Sequence, residues 1–95
     1  ASINNAPLPV SLVSFEAKVI AEGSTSSVLL KWQTASELNN DYFTIERSAD
    51  AKQWTSITTM QGKGTFNGLS SYESLDQNLP SGKIYYRLKQ TDSDG

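Results

Sequence analysis

The 95-residue chain is long enough for one small domain, but it contains no cysteine and no histidine. Disulfides, thiolate metal sites and Ser–His or Cys–His catalysis are therefore excluded. The net charge of −2 provides no basic surface, so neither nucleic acid nor an anionic membrane surface is an expected partner. No apolar run approaches the roughly 20 residues of a membrane-spanning helix.

The first nine residues are predicted to be a linker. They are polar, and Pro7 and Pro9 favour an extended backbone. We expect a single domain from Val10 to Gly95. The chain opens with Ala1 in place of an initiator methionine, which fits a segment of a longer protein whose targeting signals lie elsewhere.

The first half of the domain predicts three strands. Val13, Phe15, Ala17 and Val19 alternate with polar residues, and the same period of two recurs in a later set. The apolar residues of the second and third strands are Val28, Leu30, Trp32, Phe43 and Ile45. A turn is expected over residues 22–27, and a polar loop with one short helical turn over residues 34–41.

The second half predicts three further strands. A fourth strand begins near Trp54, and its uneven apolar spacing predicts a β-bulge or a change of face between Trp54 and Met60. A flexible glycine loop over residues 62–68 leads to a short strand around Tyr72, and the last strand runs from Ile84 to Thr91. The predicted core is the set Phe15, Leu30, Trp32, Phe43, Ile45, Trp54, Tyr72, Ile84, Tyr86 and Leu88.

Six short strands separated by turns at intervals of about ten residues are typical of an all-β immunoglobulin-like or fibronectin type III-like antiparallel sandwich. A seventh strand is expected after the hairpin turn of Asp92 to Gly95, because Asp-Gly is a strong hairpin signal. Without it, the edge at residues 84–91 is open. A second copy pairing as a homodimer, the linker, or nothing fills that edge. Tyr86, or else Tyr85, is expected to act as a tyrosine corner.

Four segments together carry a resemblance to a known family. They are Leu8-Pro9-Val10-Ser11-Leu12-Val13-Ser14-Phe15, Leu30-Lys31-Trp32-Gln33-Thr34-Ala35-Ser36-Glu37, Asn39-Asn40-Asp41-Tyr42-Phe43-Thr44-Ile45-Glu46-Arg47-Ser48 and Tyr85-Tyr86-Arg87-Leu88-Lys89-Gln90. The chain resembles the fibronectin type III-like module that precedes the C-terminal type IX secretion sorting domain in exported Bacteroidetes proteins. The resemblance implies a secreted or cell-surface location.

The polar residues allow three kinds of site, and each has a structural alternative. Asp41, Asp92 and Asp94 lie on loops expected at one end of the sandwich and could bind Ca²⁺, but caps and turns are the preferred interpretation. Trp54, Phe66, Tyr42 and Tyr72 could form an aromatic platform for sugars, with Tyr42 and Phe66 as its exposed pair, but core packing is the preferred interpretation.

The glycine-rich Gly62-Lys63-Gly64-Thr65 lacks the spacing of a phosphate loop and is predicted to be a flexible hairpin. The charged residues Glu46, Arg47, Arg87 and Lys89 are predicted to form cross-strand pairs on a solvated sheet face. We therefore expect no catalytic residue and no cofactor.

The leading functional hypothesis is a non-catalytic spacer or accessory module of a larger secreted protein, whose partners are the neighbouring domains of the same chain. The alternative is an adhesion module that binds carbohydrate or protein through the loop end or the exposed sheet edge. A fragment of an enzyme is a third hypothesis, and its catalytic groups would have to lie outside this sequence.

Overall fold

The computed structural model describes residues 10–93, and this part of the chain is all-β and antiparallel. Its four strands are β1 (Val10–Glu22), β2 (Thr25–Ser48), β3 (Thr55–Asp76) and β4 (Tyr85–Asp92). The predicted turn between the first two strands is a tight hairpin around Gly23, whose φ of 62° lies in the left-handed region that glycine adopts without strain. The linker and Asp94-Gly95 lie outside the described residues.

The long strand β2 organises the sheet, because every other strand pairs with it. β3 runs along one edge of β2 for almost its whole length. On the other edge, β1 pairs with residues 25–37 and β4 pairs with residues 40–48. β2 thus changes partner on that edge between Glu37 and Asn40.

The prediction of a loop with a helical turn over residues 34–41 is wrong. The strand continues through this segment with three register shifts, and Asn39 adopts a left-handed φ of 52°. Register shifts such as β-bulges bend a strand without ending it. The predicted loop over residues 62–68 is also absent, because β3 continues through it with the matching irregularities.

Residues 10–93 therefore form four strands, whereas the sequence predicts six. The predicted second and third strands are the two halves of β2, and the predicted fourth and fifth are the two halves of β3. The β-bulge expected between Trp54 and Met60 is confirmed: Ile45 pairs with Thr58 and the next residue pairs with Ser56. The predicted seventh strand lies beyond the described residues.

The core joins the two halves of β2. Trp32, from the first half, contacts the ring of Phe43, from the second half, edge to face at a centroid distance of 5.6 Å. Tyr72 of β3 stacks on Trp32 at 5.5 Å. The fully buried apolar side chains are Val10, Val28, Leu30, Trp32, Phe43, Ile45 and Leu88, and Phe15, Tyr72 and Tyr86 pack against them.

Two residues of the predicted core lie outside this cluster. Trp54 precedes β3 and is only partly buried, and the guanidinium of Arg87 lies 4.2 Å from the centre of its ring. Ile84 is partly buried and precedes β4, which begins at Tyr85. Both side chains lie at strand ends, where the alternation of buried and exposed positions does not extend.

Candidate functional site

The deepest charged group described is the carboxylate of Glu37, which lies at the bend of β2 and is 2% exposed. Its Oε1 accepts hydrogen bonds from Asn40 Nδ2 at 2.8 Å and from the backbone N–H of Lys63 at 2.9 Å. Its Oε2 accepts from the hydroxyl of Thr34 at 3.0 Å and from the hydroxyl of Tyr72. Four donors from β2 and β3 thus surround a carboxylate that forms no ion pair among the described residues.

These donors keep Glu37 ionised despite its burial. Burial alone would raise the pKa of the carboxyl group, but the bonds from Asn40, Lys63, Tyr72 and Thr34 outweigh it, so the pKa lies below its ordinary value. Burial, together with the bond to Glu37, raises the pKa of the Tyr72 phenol well above its ordinary value. The phenol therefore stays protonated and acts as a donor.

The network continues from Glu37 to β4. Asn40 Oδ1 accepts a hydrogen bond from Gln90 Nε2 at 3.1 Å, and the same nitrogen donates to Asp92 Oδ1 at 2.6 Å. The backbone N–H of Ser93 donates to the carbonyl of Asn39 at 2.8 Å. Polar groups therefore connect β3, β2 and β4 at the point where β2 changes partner. We call this set the bend network, and its members are Thr34, Glu37, Asn40, Lys63, Tyr72, Gln90 and Asp92.

A second buried carboxylate, Asp76, is the last residue of β3 and is 7% exposed. Arg47 Nη1 lies 2.8 Å from each of its oxygens and also donates to the carbonyl of Asn78 at 3.0 Å. The hydroxyl of Tyr86 donates to Asp76 Oδ2 at 2.8 Å. Burial, together with this bond, raises the pKa of the Tyr86 phenol. We call these residues the Asp76 cluster.

The tyrosine-corner prediction names the correct residue, Tyr86, but the wrong acceptor for its hydroxyl group. Tyr86 is partly buried against the core, whereas Tyr85 is 36% exposed. However, the hydroxyl of Tyr86 bonds to the side chain of Asp76 and not to upstream backbone. The corner is thus stabilised by a charge-assisted bond, which is stronger than a neutral one.

Only part of the predicted surface charge pairing is present. Arg87 Nε donates to Glu46 Oε1 at 2.6 Å, and the guanidinium covers the face of Trp54. Arg47, by contrast, pairs with Asp76 and is 20% exposed, and Lys89 lies opposite Thr44. Glu46 and Arg47 cannot both lie on the solvated face, because consecutive residues of a strand point to opposite faces of the sheet.

The predicted calcium ligands do not form a cluster in the part of the chain that the structure describes. No group of three or more acidic, cysteine or histidine side chains in residues 10–93 is arranged to hold a metal ion. Asp41 is exposed, Asp92 bonds to Gln90, and Asp94 lies outside the described residues.

The predicted aromatic pair is exposed but does not form a platform. Tyr42 is 36% and Phe66 is 41% exposed, and their rings form no stacked or edge-to-face pair. The ammonium of Lys63 lies 5.0 Å from the centre of the Phe66 ring, which also lies against Gly68. The Phe66 ring is therefore engaged by its own chain and is not paired with Tyr42.

The glycine-rich segment has a structural role in the bend network. The backbone N–H of Lys63 binds Glu37, and Thr65 Oγ1 accepts a bond from the N–H of Asn39. At Gly62 an added Cβ would lie 2.8 Å from the carbonyl oxygen of Asn40, so only glycine allows this approach. A phosphate loop is not formed.

Sequence reasoning missed the roles of Glu37 and Asp76. The sequence predicts a polar loop with a helical turn at Glu37, and it assigns no role to Asp76. For Arg47, strand alternation does predict an inward side chain, because its neighbour Glu46 faces outward.

The comparisons with known proteins give no relative. No family model, no curated protein and no solved structure matches the chain. Among residues 10–93 there is also no helix that could cross a membrane.

Proposed function

We propose that the chain is a non-catalytic spacer or accessory module, with a fibronectin type III-like β-sandwich fold, of a larger secreted or cell-surface bacterial protein. In this role it folds on its own, separates neighbouring domains and lies next to a type IX secretion sorting domain. Its work is mechanical, and its partners are the adjacent domains.

The bend of β2 supports the sandwich part of this proposal. The first half of β2 lies between β1 and β3, and the second half lies between β4 and β3. Trp32 and Phe43 belong to different halves and yet share one core. Two three-stranded layers packed face to face, as in a sandwich, would place these rings against each other.

The main support for the spacer role comes from the two buried carboxylates, because every one of their oxygens accepts a hydrogen bond from another strand. Glu37 accepts from β2 and β3, and Asp76 of β3 binds Arg47 of β2 and Tyr86 of β4. A catalytic carboxylate needs a free oxygen that faces a cleft, whereas these two face only their internal donors. Their arrangement favours resistance to unfolding over chemistry.

Two experiments test the proposal. The first places the chain between two fluorescent proteins and pulls the fusion by its ends in a single-molecule instrument. We expect one cooperative unfolding event, and a weaker one in Asp76→Asn, while Glu73→Asn on the exposed face serves as the matched control. Gradual extension without a discrete event would refute the mechanical role.

The second experiment tests location. An antibody against the chain is used on fractions of the organism that encodes it, and we expect the signal in the medium or at the cell surface, on a polypeptide larger than 10.4 kDa. A cytoplasmic signal would contradict the secreted location and leave the fold unaffected.

A further inference from the structure

Asn67 is the one asparagine of the chain that is followed by glycine. The other five precede asparagine, alanine, aspartate or leucine. The backbone nitrogen of the residue after an asparagine can attack the side-chain amide carbon, and a Cβ on that residue hinders the attack. Glycine has no Cβ. Asn67 and Gly68 therefore carry the least hindered pair of reacting groups of this kind in the chain.

The structure places this pair at an irregular point of β3. Asn67 pairs with Ser36 of β2, and the next paired residue of β3 is Ser70. Gly68 and Leu69 thus have no partner residue on β2. A register shift of this kind leaves the extra residues outside the regular ladder. The attack needs this freedom, because the nitrogen of Gly68 must turn toward the side chain of the residue before it.

The side chain of Asn67 is not held by the rest of the described structure. It is exposed, and none of the side-chain hydrogen bonds among residues 10–93 involves it. Asn40 shows the opposite case, because its buried amide group is bonded to Glu37 on one side and to β4 on the other. The amide carbon of Asn67 is therefore open to attack.

The ring of Phe66 explains the glycine at this point without covering the amide group. It lies against Gly68, where an added Cβ would be 3.0 Å from Cε2 of the ring. Phe66 and Asn67 are consecutive residues of β3, so their side chains point to opposite faces of the sheet. The contact that requires glycine is thus separate from the face that reacts.

We propose that Asn67 is a site of spontaneous deamidation. The backbone nitrogen of Gly68 attacks Cγ of Asn67 and gives up its proton, and the bond from Cγ to the amide nitrogen breaks. The leaving group takes up a proton and departs as ammonia, which leaves a cyclic imide, the succinimide. Water then opens this ring at either of its two carbonyl groups, and the product is aspartate or isoaspartate.

The two products have different consequences for the fold. Aspartate keeps the length of the backbone and adds one negative charge at an exposed position. Isoaspartate routes the backbone through the side-chain CH₂ group, so it lengthens β3 between the pair of Phe66 with Glu37 and the pair at Thr34. The N–H of Lys63, on the same strand, binds Glu37. The isoaspartate form should therefore loosen the bend network. This inference goes beyond the spacer role and does not depend on it.

The test incubates the purified 95-residue chain at neutral pH and follows it by tryptic mapping with mass spectrometry. Trypsin releases the peptide of residues 64–83, which also contains Asn78, exposed and followed by leucine, as an internal control. We expect a mass gain of about 1 Da at Asn67, from the exchange of NH₂ for OH, and none at Asn78. Gly68→Ala should slow the gain by about tenfold, and Asn67→Ser should abolish it.

A free peptide with the sequence of residues 65–69 measures the effect of the strand itself. We expect the folded chain to react within about tenfold of the peptide rate, because the register shift releases Gly68 from the ladder. A peptide that reacts while the folded chain does not would show that β3 shields the pair, and it would overturn the proposal. A gain that appears first at Asn78 or Asn39 would do the same.

A second measurement tests the loosening of the bend network. The isoaspartate form is isolated from the aged chain by chromatography, and Asn67→Asp supplies the aspartate form alone. In urea unfolding followed by tryptophan fluorescence, we expect Asn67→Asp to match the unmodified chain and the isoaspartate form to unfold at a lower urea concentration. Equal midpoints for the two forms would refute the loosening of the bend network by the longer backbone.

Discussion

The replacement of Glu37 by glutamine is the most informative single change. Glutamine keeps the shape of the side chain but replaces one acceptor oxygen by an NH₂ donor. Oε1 of Glu37 accepts from two N–H donors, whereas Oε2 accepts from two hydroxyl groups, which can also act as acceptors. The new NH₂ group is therefore accommodated only at the Oε2 position, where neutral hydrogen bonds replace charge-assisted ones. A charge-assisted hydrogen bond contributes about 1.5–3 kcal/mol, and an unsatisfied buried group costs about 1–3 kcal/mol.

The exchange of charge-assisted bonds for neutral ones gives an expected destabilisation of roughly 2–4 kcal/mol, a large part of the roughly 5–15 kcal/mol of a small domain. The assay is urea unfolding of the purified chain, followed by tryptophan fluorescence, because Trp32 lies in the same core. Glu73→Gln, at an exposed position on β3, is the matched control and should change the free energy of unfolding by less than about 0.5 kcal/mol.

The same variant makes a prediction about pH. The pKa of Glu37 is lower in the folded chain than its ordinary value of 4.5, so its stabilising effect is complete above that value. It is lost as the pH falls through the lowered folded pKa, when the carboxyl group takes up a proton. Glu37→Gln should therefore flatten the decline of stability in acid. Unchanged stability at pH 7, or an unchanged acid profile, would refute the role assigned to the bend network.

Three further changes test other parts of the structure. Tyr86→Phe removes a donor to Asp76 and should cost about 1–2 kcal/mol in urea unfolding. The phenol of Tyr86 has a raised pKa and should not contribute tyrosinate absorbance up to about pH 11. Tyr86→Phe should therefore show the same gain in absorbance as the unmodified chain, and a smaller gain in the variant would contradict the burial of Tyr86. Gly62→Ala should cost about 1–3 kcal/mol by overpacking against Asn40, and an equally stable variant would refute that contact. Trp54→Ala should cost about 1–2 kcal/mol, less than the same change at the buried tryptophan of β2; equal losses in thermal unfolding would place Trp54 in the core.

The sequence predicts the apolar part of the fold well. Leu30, Trp32, Phe43 and Ile45 are identified by the period of two, because that alternation is the direct signature of a strand with one buried face. The uneven spacing after Trp54 also predicts the β-bulge, since a bulge shifts the alternation by one residue.

The polar centre of the fold was not predictable in the same way. Glu37 and Asn40 lie in a polar segment, and polar segments predict loops when each residue is considered alone. Glu37 is buried with donors from Lys63 and Tyr72, and Asn40 with a donor from Gln90, all more than 25 residues away in sequence. No local pattern carries that information. The left-handed Asn39 is the one local hint, because asparagine is among the few residues that adopt this conformation readily.

The dependence of every ladder on β2 has a consequence for how the chain acquires its structure. β1, β3 and β4 form no ladder with one another among residues 10–93, so no pair of them can persist without β2. The last ladder joins Asn40 to Asp92, which closes a long loop and makes folding slow relative to proteins with local contacts. During synthesis, β1 can pair with β2 once residues 10–37 are available, whereas the ladder between β2 and β4 must wait for nearly the whole chain. A protease cut in the turn at residues 49–54 would leave a C-terminal half that has no strand to pair with.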